Sequence, residues 1–187
     1  MRTEEPDVQA LVVVDVQRAF VEGRSAVPDA ERLLSAIKIQ LAAARAARAQ
    51  VVYLQNDGTS ETGDAPGTDG WELALEPDAG ELVIRKAKDD GFCGTSLEAV
   101  LREGGVAVCS IVGVLSEMCV AATARQALEL GFGVVMAHDS HGTHYVPEQG
   151  PAAPGVPARL ARRAAEWALG DEPCFVSSAA DIRFQAP

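Results

Sequence analysis

Aromatic residues make up only 5% of this chain, so its core cannot rest on stacked rings. With 48% hydrophobic residues, the interior has to be filled by aliphatic side chains and alanine. Cysteine is sparse too. Cys93, Cys109, Cys119 and Cys174 lie far apart and form no CxxC pair, which fits a reducing cytoplasm better than a disulfide framework. Apolar stretches are all too short to cross a bilayer. The acidic start (Glu4, Glu5, Asp7) has no basic segment followed by a long apolar run, so no signal peptide is expected. Basic residues are outnumbered, 16 to 27, for a net charge of −11, which disfavours nucleic acid and anionic membranes as partners. No histidine precedes His138, and no lysine or arginine lies between Arg48 and Arg85 or between Arg125 and Arg159. Repeats and linkers are missing as well, and 187 residues suit a single α/β domain over the whole chain, 1–187.

Short β-branched runs alternate with helical spacing. Strands are expected at Gln9–Val14, Val51–Leu54, Glu81–Arg85, Val106–Val112, Gly133–Ala137 and Cys174–Ser177. Helices are expected over Ala30–Arg48, with Leu33, Leu34, Ile37 and Leu41 on one face, and from about Thr95 to Gly104. Two more are expected over Ala121–Leu130 and over Ala158–Leu169, the last with Leu160, Ala164 and Trp167 inward. The alternation implies a parallel sheet with right-handed crossovers and helices on both faces. A loop rich in Gly, Asp, Thr and Pro runs from Gln55 to about Gly70.

In open parallel sheets, ligands bind outside the carboxyl ends of the strands, and three polar residues fall there. Asp15 ends the first strand; it is either catalytic or a cap for the next turn. Lys86 ends the third, where the default is a solvated lysine. Cys119 follows the fourth, in the first turn of a helix, where the helix dipole and free N–H groups favour thiolate over thiol. Its alternative is a small buried residue. If the three strands are neighbours, Asp15 can act as a base, Lys86 can stabilise both charges, and Cys119 can attack an electrophilic carbon. Trp71 either lines the pocket or pins the loop. His138, His141 and His144 could form a zinc site, but they follow a strand, so no helical face justifies their spacing. The preferred alternative puts His141 and Thr143 at the crevice mouth and has Asp139 hold its turn.

Asp15-Val16-Gln17 with Phe20, Lys86 six residues before Phe92, and Gly94-Thr95-Ser96-Leu97 resemble the isochorismatase-like cysteine hydrolases. So do Gly113-Val114, Glu117, Cys119-Val120, Thr123, Ala127, Asp139 and Thr143. That family includes nicotinamidases, N-carbamoylsarcosine amidohydrolases and streptothricin hydrolases. The resemblance implies a three-layer α/β/α Rossmann-like sandwich around a six-stranded parallel sheet, assembled as a homo-oligomer, dimer or tetramer. It implies an Asp15–Lys86–Cys119 triad, a cis peptide before Leu115, and an oxyanion hole from the Leu115 and Cys119 N–H groups. Gln17, Phe20, Asn56, Trp71 and Phe92 are the candidates for the substrate pocket.

The chain departs from the nicotinamidases where they carry an Asp-x-His metal motif, for Asn56-Asp57-Gly58 stands there instead. The segment Pro66-Gly67-Thr68-Asp69-Gly70-Trp71 resembles the metal-free branch. No metal or cofactor is therefore expected. The reading is a cytoplasmic cysteine hydrolase cleaving a small neutral or cationic amide or lactam, a streptothricin-type basic lactam being the sharpest case. The alternatives are an isochorismatase-type vinyl ether hydrolase, against which Cys119 tells, and a catalytically silent binding or scaffold protein.

Overall fold

A computed structural model describes residues 6–187. Seven strands form one sheet: β1 (Ala10–Val14), β2 (Gln50–Asn56), β3 (Leu82–Lys86), β4 (Val108–Val114), β5 (Gly133–Ala137), β6 (His141–Gly142) and β7 (Cys174–Val176). The order is β3-β2-β1-β4-β5-β7, with β6 added beside the end of β4, and every pairing is parallel. Among the described residues there are five α-helices: α1 (Arg18–Val21), α2 (Ala30–Ala47), α3 (Leu97–Glu103), α4 (Ala121–Glu129) and α5 (Ala158–Trp167). The sandwich inferred from sequence is present. The two-residue β6 is the addition, in a segment with no alternating run to announce it.

Strand alternation sends side chains to two cores, which is why β1 reads as an unbroken apolar run. Ala10, Val12 and Val14 pack with Leu97 and Leu101 of α3 and with Ala124 and Ala127 of α4. Leu11 and Val13 pack with Leu33, Ile37 and Leu41 of α2 on the opposite face. Each such aliphatic side chain contributes roughly 2 kcal/mol through its burial.

Two sequence expectations are corrected. β4 runs two residues further than its apolar stretch suggested, through Gly113 and Val114. Gly113 has φ +124°, and a Cβ there would lie 2.0 Å from the Val14 carbonyl oxygen. Only glycine lets β4 approach the end of β1 so closely. The second correction is the face of α5. Leu160 and Trp167 are 47% and 76% exposed, while Ala165 and Glu166 are buried. The helix turns a carboxylate inward because polar partners wait for it there.

Candidate active site

The residue after β1 is Asp15, and its backbone is left-handed at φ 51°, which aspartate tolerates better than most side chains. Its N–H donates to the Leu54 carbonyl at 3.0 Å, and its carbonyl accepts from Gln17 N–H at 2.8 Å. This turn holds the side chain at the carboxyl edge of the sheet, where Oδ2 meets Lys86 Nζ at 2.7 Å. Lys86 ends β3 and is buried, so the solvated-lysine default fails. Its Nζ also donates to Cys119 Sγ at 3.3 Å and to the Lys88 carbonyl at 3.0 Å. An ammonium has three N–H donors, and three close acceptors take them. Asn56, opposite Lys86 in the β2–β3 register, presents Oδ1 at 3.5 Å.

Cys119 sits in a wide π-type turn, Ser116–Val120, that joins β4 to α4. The Leu115 carbonyl accepts from Met118 and Val120 N–H, which closes the turn. The Val114–Leu115 peptide is cis. The thiol is half-buried and also lies 3.7 Å from Asp89 Oδ1.

Burial pushes the Asp15 carboxyl up to about 6, against the pull of Lys86. Burial disfavours charge on Lys86, but Asp15 and Cys119 more than restore it, and its pKa is raised. Burial first, then the Asp15 charge, raises the Cys119 thiol, and Lys86 offsets only part of this. At neutral pH the resting site is therefore an Asp15–Lys86 ion pair beside a protonated thiol. The expectation that the start of a helix favours thiolate is corrected, since desolvation and a carboxylate outweigh the dipole. Asp15 Oδ1 is buried without a hydrogen-bond partner, so one lone-pair face of the carboxylate is uncommitted.

The five pocket candidates divide. Asn56 reaches the site, and its Nδ2 is held by the buried carboxylate of Asp64 at 2.7 Å. Gln17 is fully buried. Its Nε2 donates to the Asn56 and Trp71 carbonyls, both at 3.0 Å, and its Oε1 accepts from Asn56 N–H, so it latches the long loop from inside. Trp71 Nε1 donates to Asp57 at 3.1 Å, and Arg85 lies over its ring, which is the loop-pinning alternative. Phe20 and Phe92 are half-buried against the two cores, Phe92 stacked on Phe132.

His141 is not at a crevice mouth in solvent; it is 1% exposed. Its Nδ1 lies 2.9 Å from Ser116 Oγ and its Nε2 3.2 Å from Glu166 Oε1, the latter not aligned as a hydrogen bond. His138 Nδ1 meets Glu166 Oε2 at 2.9 Å, and Arg163 joins at 3.1 Å. Among the described residues no group of three His, Cys, Asp or Glu is placed to hold a metal ion. Thr143 is buried and, with His141, lines a separate cleft of about 510 Å³ between α2 and α5 that Asp15, Lys86 and Cys119 do not line. Asp139 holds its turn, accepting from Ser140 Oγ and from Ala179 N–H. Sequence reasoning missed Asp64, Asp89, Ser116 and Glu166. None carries a local signal, because each acquires its partner across at least one chain crossing or turn.

Fold and site together define an α/β protein with a buried Asp–Lys pair and a cysteine converging at the carboxyl ends of β1, β3 and β4. The chain matches the isochorismatase domain over residues 9–152, and it belongs to the isochorismatase family. It is 56% identical over 182 residues to a streptothricin hydrolase of Streptomyces noursei, covering 96% of this chain and 66% of that protein. A second streptothricin hydrolase of that organism is 55% identical over 185 residues, covering 96% and 72%. The chain thus spans about two thirds of the length of the first of these curated relatives. Its fold matches the crystal structure of an isochorismatase from Pseudomonas putida with a TM-score of 0.86, at 23% identity and covering 96% and 94% of the two chains.

Proposed function

We propose that this chain is a cysteine amidohydrolase that opens a C–N bond in a small amide or lactam, a streptothricin-type lactam first among them. The observation that carries the reading is the buried contact of Lys86 with both Asp15 and Cys119, beside the uncommitted Asp15 Oδ1. Asp15 takes the thiol proton as Sγ attacks the carbonyl carbon, so the high thiol pKa is overcome only when substrate is present. The tetrahedral oxyanion is received by the Leu115 and Cys119 N–H groups, each donor worth about 3 kcal/mol. Collapse breaks the C–N bond, and the proton on Asp15 passes to the leaving nitrogen, which in a lactam stays tethered. Water then attacks the thioester with Asp15 again as base, releasing the carboxylate and the thiol. Lys86 keeps Asp15 ionised between steps. The names of the two curated relatives, at 56% and 55% identity, support this chemistry and this substrate class.

The separated cysteines favour a cytoplasmic setting, and independence of metal is favoured by Asp57, which stands beside the missing Asp-x-His and is already committed to Arg85 and Trp71. Asn56 is the favoured contact for the substrate. The protein assembles with copies of itself through the outward apolar side chains of α5, Leu160 and Trp167; sedimentation at the mass of a 19.6 kDa monomer would reject this. The functional test is turnover of a streptothricin-type lactam and a panel of small amides, wild type against Cys119→Ala, with mass spectrometry for an acyl adduct on Cys119. Turnover that survives Cys119→Ala would overturn the reading. Preferential cleavage of a vinyl ether would move it to isochorismatase chemistry.

A further inference from the structure

Resting on the reading above, we infer that Asp89 is the residue that selects substrates carrying positive charge next to the scissile carbonyl. Lys86 neutralises Asp15 at 2.7 Å, and both side chains are all but closed to solvent. The next carboxylate at the thiol is Asp89, with Oδ1 3.7 Å from Sγ, and it is exposed. The mechanism makes no use of it.

Its place is built. The carbonyl of neighbouring Lys88 is drawn in by Lys86 Nζ at 3.0 Å. The Asp89 carbonyl accepts from Thr123 Oγ1 at 3.5 Å, and the same hydroxyl takes Gly91 N–H at 3.0 Å. Strand β3 on one side and helix α4 on the other thus hold this segment over the thiol.

An ammonium or guanidinium within a few bonds of the attacked carbon would reach Asp89 as the carbon reaches Sγ. At such a separation an exposed charge pair is worth a factor of about five in binding or rate, and less as salt is added. A carboxylate in the same position would be repelled. Lys88 is the opposing charge on this segment; its side chain is exposed.

The test needs no substrate. Cationic, neutral and anionic methanethiosulfonates are reacted with the full chain carrying Cys93→Ser, and modification is read at Cys119 by peptide mapping. We expect Asp89→Asn to lower the cationic-to-anionic rate ratio at least about fivefold at low salt at an unchanged melting temperature, the neutral reagent's rate serving as the reference for any change in the thiolate fraction. A ratio within twofold of the parent overturns the inference. So does equal slowing of all three reagents, which would mean that Asp89 prepares the thiol instead of reading charge. In turnover, Asp89→Asn should raise KM for a cationic amide at constant kcat and spare its neutral isostere. A protein that hydrolyses no amide yet keeps the reagent effect would sink the amidohydrolase reading and leave the selectivity of Asp89 standing.

Discussion

At the scale of the residue, the protonation of Asp15 decides the behaviour of the site. With its pKa at about 6, the proposed proton acceptor is lost as pH falls. The rate constant kcat/KM should therefore rise through an acid limb centred near pH 6, measurable with any cleaved amide. A limb near the ordinary carboxylate value would mean that Asp15 is not the base. Asp15→Asn should cut kcat about a thousandfold, the range of general base catalysis. The sign for stability is opposite to that of a salt-bridged surface acid. Folded Asp15 holds its proton more tightly than unfolded Asp15, so stability falls as pH rises from 3.8 to about 6, by about 3 kcal/mol in total. The cysteines separate by access to solvent. Cys109 is buried, which pushes its thiol up to about 12, and it should stay unlabelled in the native protein. Cys93 is exposed and Cys119 is a half-buried resting thiol, so iodoacetamide should label both. Only the Cys119 adduct should abolish turnover, and Cys93→Ser should remain active.

At the scale of the element, the β4–turn–α4 unit carries Cys119, the proposed nucleophile, and two supports hold it. One is Gly113. Gly113→Ala would drive a methyl into the Val14 carbonyl at a positive φ, so the variant should lose at least about 3 kcal/mol, read as a fall in melting temperature with loss of activity. The other support is α5, through the chain Glu166–His141–Ser116. Glu166→Ala removes one partner from a buried charged group and should cost about 3 kcal/mol. Burial opposes ionisation of Glu166, but its close contacts with His141 and then His138 win, and its pKa is lowered. Its contribution is thus present above 4.5, the ordinary glutamate value, and is lost as pH falls below it. A Glu166→Ala melting temperature that converges with wild type in acid would bear this out, and a constant gap would not.

At the scale of the molecule, charge and metal are the open axes. The stretch from Ala49 to Ile84 has no cation of its own, yet arginines from elsewhere neutralise much of it. Arg85 pairs with Asp57, Arg18 with Asp69, and Arg45 with Asp78 and Glu81. The stretch is therefore less negative than a count of its own residues implies. Turnover of a cationic amide should still fall as salt rises. Exhaustive chelation should leave activity intact; loss restored by zinc would reassign His138, His141 and Glu166.

The sequence by itself determined the layered α/β architecture, because apolar runs and helical spacing are local patterns that only one chain crossover satisfies. It also brought Asp15, Lys86 and Cys119 forward, since strand ends and a helix start can be read from neighbours in the chain. Tertiary structure alone decided the rest. Whether Lys86 is buried depends on β3 lying beyond β2 from β1, and whether Cys119 rests as a thiol depends on what surrounds it. Gln17 and Asn56 look alike as polar residues at strand ends, but one is sealed under the loop and the other faces Lys86. Trp167 looked inward by periodicity, but the inward side of α5 belongs to Glu166, whose histidines come from the far side of a long loop. Burial and ion pairing are sums over groups distant in sequence, and no local pattern carries them.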